Sequence, residues 1–194
     1  MTHQGSSLTF RHHTDVEEVR QLLLDVHVEV RGDYGLMGDP FYHVDRFNDR
    51  LSSYASRPGW EAVIGYQDET PVGYAFAMPL GENTGWWSSM REPLPEDYVR
   101  ETGTRTLALN EILVRKPWRG AHGTGAARRI HEELLSGRTE ERATLLVNPE
   151  RADGRLKAVY ESWGYREIGR QQPFPDSPVF AAMMRDPLKA PAED

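Results

Sequence analysis

Apolar positions recur at steps of three and four in Val16, Val19, Leu23, Val26 and Val30, which sets them on one stripe of a helix. Thr14-Asp15-Val16-Glu17 has the spacing of a capping box, so the helix is expected to begin there, after a short alternating strand over Leu8 to His12. Gly32 is the expected stop, and the turn-rich stretch from Arg31 to Pro40 reads as a loop. Val44, Phe47, Leu51 and Tyr54 mark the apolar face of a second helix, ended by Pro58-Gly59. Two strand-like runs, Trp60 to Tyr66 and Pro71 to Met78, flank the polar turn Gln67-Asp68-Glu69-Thr70 and predict a hairpin. From Leu80 to Arg105 the period is lost among glycines, Pro93, Pro95 and Trp86-Trp87, which predicts a long inserted loop with a helical turn at Pro95 to Arg100. Regularity returns with a strand over Thr106 to Val114, a loop over Arg115 to Gly125 and a helix over Ala126 to Ser136 with Ile130 and Leu134 inward. A strand over Ala143 to Val147, a short helix from Arg155, and strands near Tyr165 to Gly169 and Val179 to Met184 complete the pattern.

The 194 residues suit one domain over 8–185, between a flexible start at 1–7 and a mobile tail at 186–194. There is no run of apolar residues long enough to span a bilayer, no signal-like start and no cysteine, so a cytoplasmic protein without a membrane partner, disulfide or thiol nucleophile is expected. A net charge of −7 disfavours a nucleic-acid partner. The seven histidines include no pair at helical metal spacing, so no metal site is expected. A monomer or homodimer serving a small-molecule substrate fits this profile.

Against the acidic background, Arg115, Lys116, Arg119, Arg128 and Arg129 place five cations around Gly120, Gly123 and Gly125 before the next acid, Glu132. Glycines let successive N–H groups converge, and the first turn of the following helix adds unpaired donors and the positive end of its dipole. Such a loop suits a phosphate or pyrophosphate. A plain strand-to-helix turn is the alternative. A P-loop is rejected because no Lys follows the glycines, and a dinucleotide fingerprint is weak because the order is Gly120-x-x-Gly123-x-Gly125 after an antiparallel hairpin.

These residues resemble the acyl-CoA signature of the GCN5-related N-acetyltransferases (GNAT), Arg/Gln-x-x-Gly-x-Gly/Ala, with Val114, Pro117, Arg119, Gly120, Gly123 and Gly125 in matching surroundings. Val159-Tyr160-Glu161-Ser162-Trp163-Gly164-Tyr165 is similar to the family's Leu-Tyr-x-x-x-Gly-Phe helix end, and the resemblance covers Leu8 to Met184. It departs in two places. Gly120 stands where the family has Arg or Gln, so the loop is one residue longer, and Asp153 stands where Asn is common. The resemblance implies a mixed α/β fold with a strongly bent, mostly antiparallel sheet of about seven strands, flanked by helices and splayed between strands 4 and 5. It implies an acetyl-CoA-dependent N-acetyltransferase in which a primary amine attacks the thioester directly. Backbone groups of Ile112, Leu113 and Val114 are then expected to pair with the pantetheine. Arg119, Gly120, Ala121, His122, Gly123, Thr124 and Gly125 are expected to hold the pyrophosphate, with Asp153 and Tyr160 as further cofactor contacts. A non-catalytic acyl-CoA sensor on the same fold is the main alternative, and a nucleotide-binding oxidoreductase a more distant one.

Acetyl transfer needs an unprotonated amine and a proton for the departing thiolate. A phenol's ordinary pKa of about 10 lies above the roughly 8.5 of a thiol, so Tyr160 is the candidate acid, against the alternative of a packed aromatic beside Trp163. Glu111 interrupts the apolar face of Leu109 and Leu113, which makes it the candidate base and amine-attracting group or, equally, half of a structural ion pair. Asp33, Tyr34 and Asp39, with Trp86 and Trp87, offer acids and aromatic faces to an acceptor, leaning toward a small cationic amine.

Overall fold

A computed structural model describes residues 7–120 and 125–189, which form two compact units: Met1–Ala77 with Glu111–Gly137, and Met78–Asn110 with Arg138–Asp194. The strand order of the seven-stranded sheet is β1-β2-β3-β4-β5-β7-β6. No helix among the described residues is long and apolar enough to cross a membrane.

In the first unit, β1 (Thr9–His13) pairs antiparallel with β2 (Glu61–Gln67), and β2 with β3 (Thr70–Pro79), which closes the expected hairpin. Both faces of the hairpin are covered. Ile64 faces Tyr74 across the ladder, on the side where Phe47 and Tyr54 of α2 (Val44–Ala55) meet the Phe76 ring. The next residue, Gly65, points the other way, where any Cβ would press on Ile130 of α4 (Ala126–Ser136) at 2.9 Å. This explains why β2 and β3 read as nearly continuous apolar runs.

The start and end of α1 (Arg20–Asp33) differ from the pattern-based expectation. Asp15 accepts the Glu17 N–H and winds Val16–Glu18 into a separate 3-10 turn, while the Glu17 carboxylate binds Arg20 instead of capping. At the other end Gly32 stays helical. Leu36 N–H donates to Arg31 O and Gly35 N–H to Gly32 O, the paired bonds of a Schellman stop, and it is Gly35 that takes the left-handed φ of +66°. The extra turn carries Arg31 and Asp33 on a rigid helix rather than a loop.

In the second unit, the start of β4 (Thr106–Val114) pairs in parallel with β5 (Arg142–Val147), from Thr106–Arg142 to Leu109–Leu145; both strands continue beyond the last pair. β7 (Phe180–Arg185) lies antiparallel between β5 and β6 (Arg166–Gln171) and is buried along its whole length. The aperiodic stretch after β3 contains a 3-10 turn at Trp86–Ser89 and α3 (Glu96–Val99), and α5 (Arg155–Ser162) precedes β6.

Candidate functional site

β4 is where the first unit's candidate chemistry begins. Arg115 N–H donates to Val72 O (2.8 Å), and a Cβ on Gly73 would stand 2.4 Å from Leu113 O, so Leu113 and Arg115 turn their backbone groups toward β3. By the alternation of a strand, Ile112 and Val114 turn theirs to the opposite edge. That edge, with Asn110, Glu111 and Ile112 only half-buried, suits an extended ligand that pairs like an added strand.

The loop after β4 is tied down by its own cations. Arg119 donates through Nε to Val114 O and through Nη2 to Asp33 Oδ2 (2.8 Å), and its guanidinium lies 4.9 Å over the Tyr34 ring. Arg115 binds Glu29 at 2.8 Å and Pro71 O, and Arg129 reaches Leu8 O; Lys116 and Arg128 are exposed. Gly120 holds φ +69° and Gly125 φ +66°, and Gly125 enters α4 with no side-chain cap, so the first-turn N–H groups of α4 receive no side-chain acceptor from that position. Ala121, His122, Gly123 and Thr124 lie outside the described residues. A pyrophosphate fits the left-handed, uncapped entry at Gly125, whereas Arg119 would have to exchange Asp33 for it.

Glu111 accepts a 2.7 Å hydrogen bond from Arg31 Nη2, and the two side chains keep 14 % and 15 % exposure, so neither is sealed. Around them, His27 and Arg31 sit one turn apart on α1, Arg50 and Tyr54 on α2, and Tyr74 on β3. His27 Nε2 donates to Tyr42 O (2.8 Å) and its ring stacks on Phe47 at 3.9 Å; burial pulls its pKa below the usual value, against the pull of Glu111. Burial, reinforced by Glu111, raises the Tyr74 phenol well above its usual range. Sequence reasoning missed Arg31, His27, Arg50 and Tyr74. The available signal was the i, i+4 pair His27/Arg31, which interrupts the apolar stripe of Leu23, Val26 and Val30. Tyr34 is half-exposed beneath Arg119, and Asp39 caps the Pro40–Tyr42 turn beside a hollow of ≈ 420 Å³ that Asp45 and Asp49 also line.

The remaining candidates belong to the second unit. Tyr160 is buried on α5, its ring edge-on to Trp163 (5.3 Å) and Tyr165 (6.0 Å). Asp153 is exposed with φ +55° just before α5. Trp87 is buried and donates its indole N–H to Glu101 Oε1 (3.1 Å), which anchors the aperiodic segment; half-buried Trp86 meets it edge-on and accepts from Gln171 through its backbone O.

No family model matches the sequence, and no curated protein matches it. Solved structures do share its fold. An acetyltransferase from Thermus thermophilus superposes with TM-score 0.60 at 19 % identity over 92 % of this chain and 97 % of that one. A GNAT-family acetyltransferase from Streptococcus agalactiae gives 0.62 at 18 %, over 92 % and 95 %. The PaiA N-acetyltransferase of Thermoplasma acidophilum, solved in complex with coenzyme A, gives 0.53 at 10 %, over 92 % and 99 %.

Proposed function

We propose that this chain, whose fold is that of the GCN5-related N-acetyltransferases, transfers an acetyl group from acetyl-CoA to the primary amine of a small molecule. One observation carries the reading: β4 turns Ile112 and Val114 to a half-buried edge and runs directly into a cation-bearing loop that enters α4 through an uncapped, left-handed Gly125. Backbone groups of Ile112 and the N–H of Val114, whose carbonyl is held by Arg119, bind the pantetheine arm, with Leu113 held back on β3. The segment from Arg119 to Gly125 and the first turn of α4 bind the pyrophosphate. Asp153, before α5, is the weaker cofactor contact because it is fully turned to solvent. When bound, acetyl-CoA supplies the activated acyl carbon.

The chain's own residues manage the protons. A new N–C bond forms as the C–S bond breaks. The Tyr160 hydroxyl gives its proton to the departing sulfur and regains one from solvent. Glu111, oriented by Arg31, takes the proton that leaves the amine, directly or through a water. Tyr34 and Trp86 are the aromatic contacts kept for the acceptor, and Trp87 also fastens its own segment.

Calorimetry with acetyl-CoA, followed by assay of CoA release against a panel of amines, tests the reading. Binding with transfer supports it. Binding without transfer to any amine assigns the chain to a non-catalytic acyl-CoA sensor, and no binding removes both.

A further inference from the structure

The face of β1 and β2 that receives α4 carries a charged cluster. Phe10 pairs with Gly65, which turns toward Ile130, and by alternation His12 and Glu61 share that face. His12 lies between two carboxylates: its Nδ1 is 2.6 Å from Glu61 Oε1 on β2, and its Nε2 is 2.9 Å from Glu133 Oε1 on α4. A neutral imidazole has one N–H, so its second nitrogen would turn a lone pair toward a carboxylate oxygen; only the imidazolium donates on both sides. Burial opposes that charge, but Glu61 and Glu133, the charged groups acting on His12 among the described residues, outweigh it and raise its pKa above the usual value. The side chains of His12, Glu61 and Glu133 keep 39 %, 18 % and 34 % exposure, so water and protons reach the cluster.

The strand that bears His12 is lightly held. β1 stands at the end of the strand order, so its ladder is with β2 alone, from Thr9–Tyr66 to His13–Ala62. On the α4 side, Arg129, one turn before Glu133, donates to Leu8 O (3.3 Å) and lies 5.7 Å over the Phe10 ring. On the opposite side, Arg11 binds Glu69 at 3.0 Å and lies over the Tyr66 ring, and His13 meets Glu18 at 2.9 Å. Arg11 and Arg129 keep their charge at any working pH, whereas a histidine changes its own near neutrality. We propose that His12 is a proton-dependent fastener: as the imidazolium it bridges Glu61 and Glu133 and holds β1 to α4, and on losing its proton it lets β1 open from the edge of the sheet while the β2–β3 hairpin stays folded. The fastening is complete below about pH 6.5 and is lost as pH rises through the raised value. Opening frees α4, whose first turn is the proposed pyrophosphate site, from its Glu133 and Arg129 ties to β1. The proposal stands whether or not the chain transfers acetyl groups.

The test is amide hydrogen exchange on the unliganded wild-type protein, expressed as protection factors so that the pH dependence of intrinsic exchange cancels. From about pH 5.5 to about pH 9 the protection of β1 amides is expected to fall by about fivefold, the upper scale of a part-exposed ion pair, while that of the β2–β3 ladder holds. The fall is expected to track the Cε1–H chemical shift of His12 in the same samples. His12→Gln is expected to show the alkaline level of β1 protection at every pH. Glu133→Gln leaves His12 one carboxylate and is expected both to weaken β1 protection in acid and to bring the His12 titration down toward its ordinary value; it carries the test should His12→Gln fail to fold. Wild-type β1 protection that does not change with pH would overturn the proposal. So would a pH response that persists in His12→Gln, which would assign it to His13 instead.

Discussion

Glu101 with Arg142 and Glu111 with Arg31 are the same chemical pair in two settings. Glu101 and Arg142 have 0 % and 2 % of their side chains exposed, and Glu101 Oε1 accepts from Trp87, Thr106 and Arg142. Arg142 also binds Thr106 Oγ1 and Tyr98 O, so the cluster knits the aperiodic segment to the first residues of β4 and β5. Glu111 and Arg31 make one short bond and keep a solvent-facing edge. Three bonds converge on Glu101 Oε1, while Oε2 is buried with no partner among the described residues, so what separates the two pairs is access to solvent rather than saturation. The contrast sets a pair sealed inside the fold against one that an acceptor can approach.

Breaking the sealed pair has the largest expected effect. Glu101→Ala strands Arg142 and should cost about 3–5 kcal/mol of stability in urea denaturation. A loss under ~1 kcal/mol would erase the distinction. Tyr160→Phe keeps the packing against Trp163 and Tyr165 and should lower kcat by roughly 10²-fold, with acetyl-CoA affinity unchanged. Glu111→Gln should leave stability within about 1 kcal/mol, as for a part-exposed pair, while kcat/KM falls by roughly 10-fold or more. Its deficit should be greatest at low pH, where more of the acceptor amine is protonated, and shrink as pH approaches the amine's pKa. A stability loss matching that of Glu101→Ala would return Glu111 to the structural class.

Much of this contrast is invisible in one dimension. β4 and α4 follow from local alternation and periodicity, and their ends at Thr106–Val114 and Ala126–Ser136 agree with the sequence pattern. Glu111 stands out in the sequence because it breaks an apolar face. Its partner does not, since Arg31 is eighty positions away in a stretch that reads as a loop; only the Schellman stop at Gly35 keeps it on α1. Trp87 reads as an acceptor contact for the same reason: an indole in an aperiodic segment gives no sign that its N–H is committed to Glu101. In sequence the five loop cations look equally disposed to phosphate, yet Arg115 and Arg119 are held by Glu29 and Asp33 of α1.

Smaller effects sharpen the comparison between groups held by the fold and groups left for a ligand. Asp33→Asn removes the carboxylate competing for Arg119, and acetyl-CoA should bind a few-fold more tightly, the scale of ~0.2–1 kcal/mol for a weak ion pair. Weaker binding would make Asp33 part of the cofactor cradle. Two histidines of the first unit, His12 and His27, give opposite, smaller pH signatures. Burial opposes protonation of His12, but Glu61 at 2.6 Å and Glu133 at 2.9 Å outweigh it and raise its pKa above the usual 6.5. Its stabilisation is therefore full below about pH 6.5 and lost as pH rises through the raised value, so wild type and His12→Gln should converge in alkaline denaturation. His27, lowered by burial, stabilises above about pH 6.5 and loses that contribution as pH falls through its depressed value, so His27→Gln should narrow the gap to wild type in acid.

Acetyl transfer itself is tested most directly by a single-turnover reaction. Wild-type protein loaded with acetyl-labelled acetyl-CoA is mixed with a panel of small primary amines, and label in the amine and CoA thiol are followed together. Transfer of label to the acceptor nitrogen with matching thiol release, slowed by roughly 10²-fold in Tyr160→Phe, is the expected result. Tight acetyl-CoA binding with all label remaining on the thioester, for every amine offered, would contradict it.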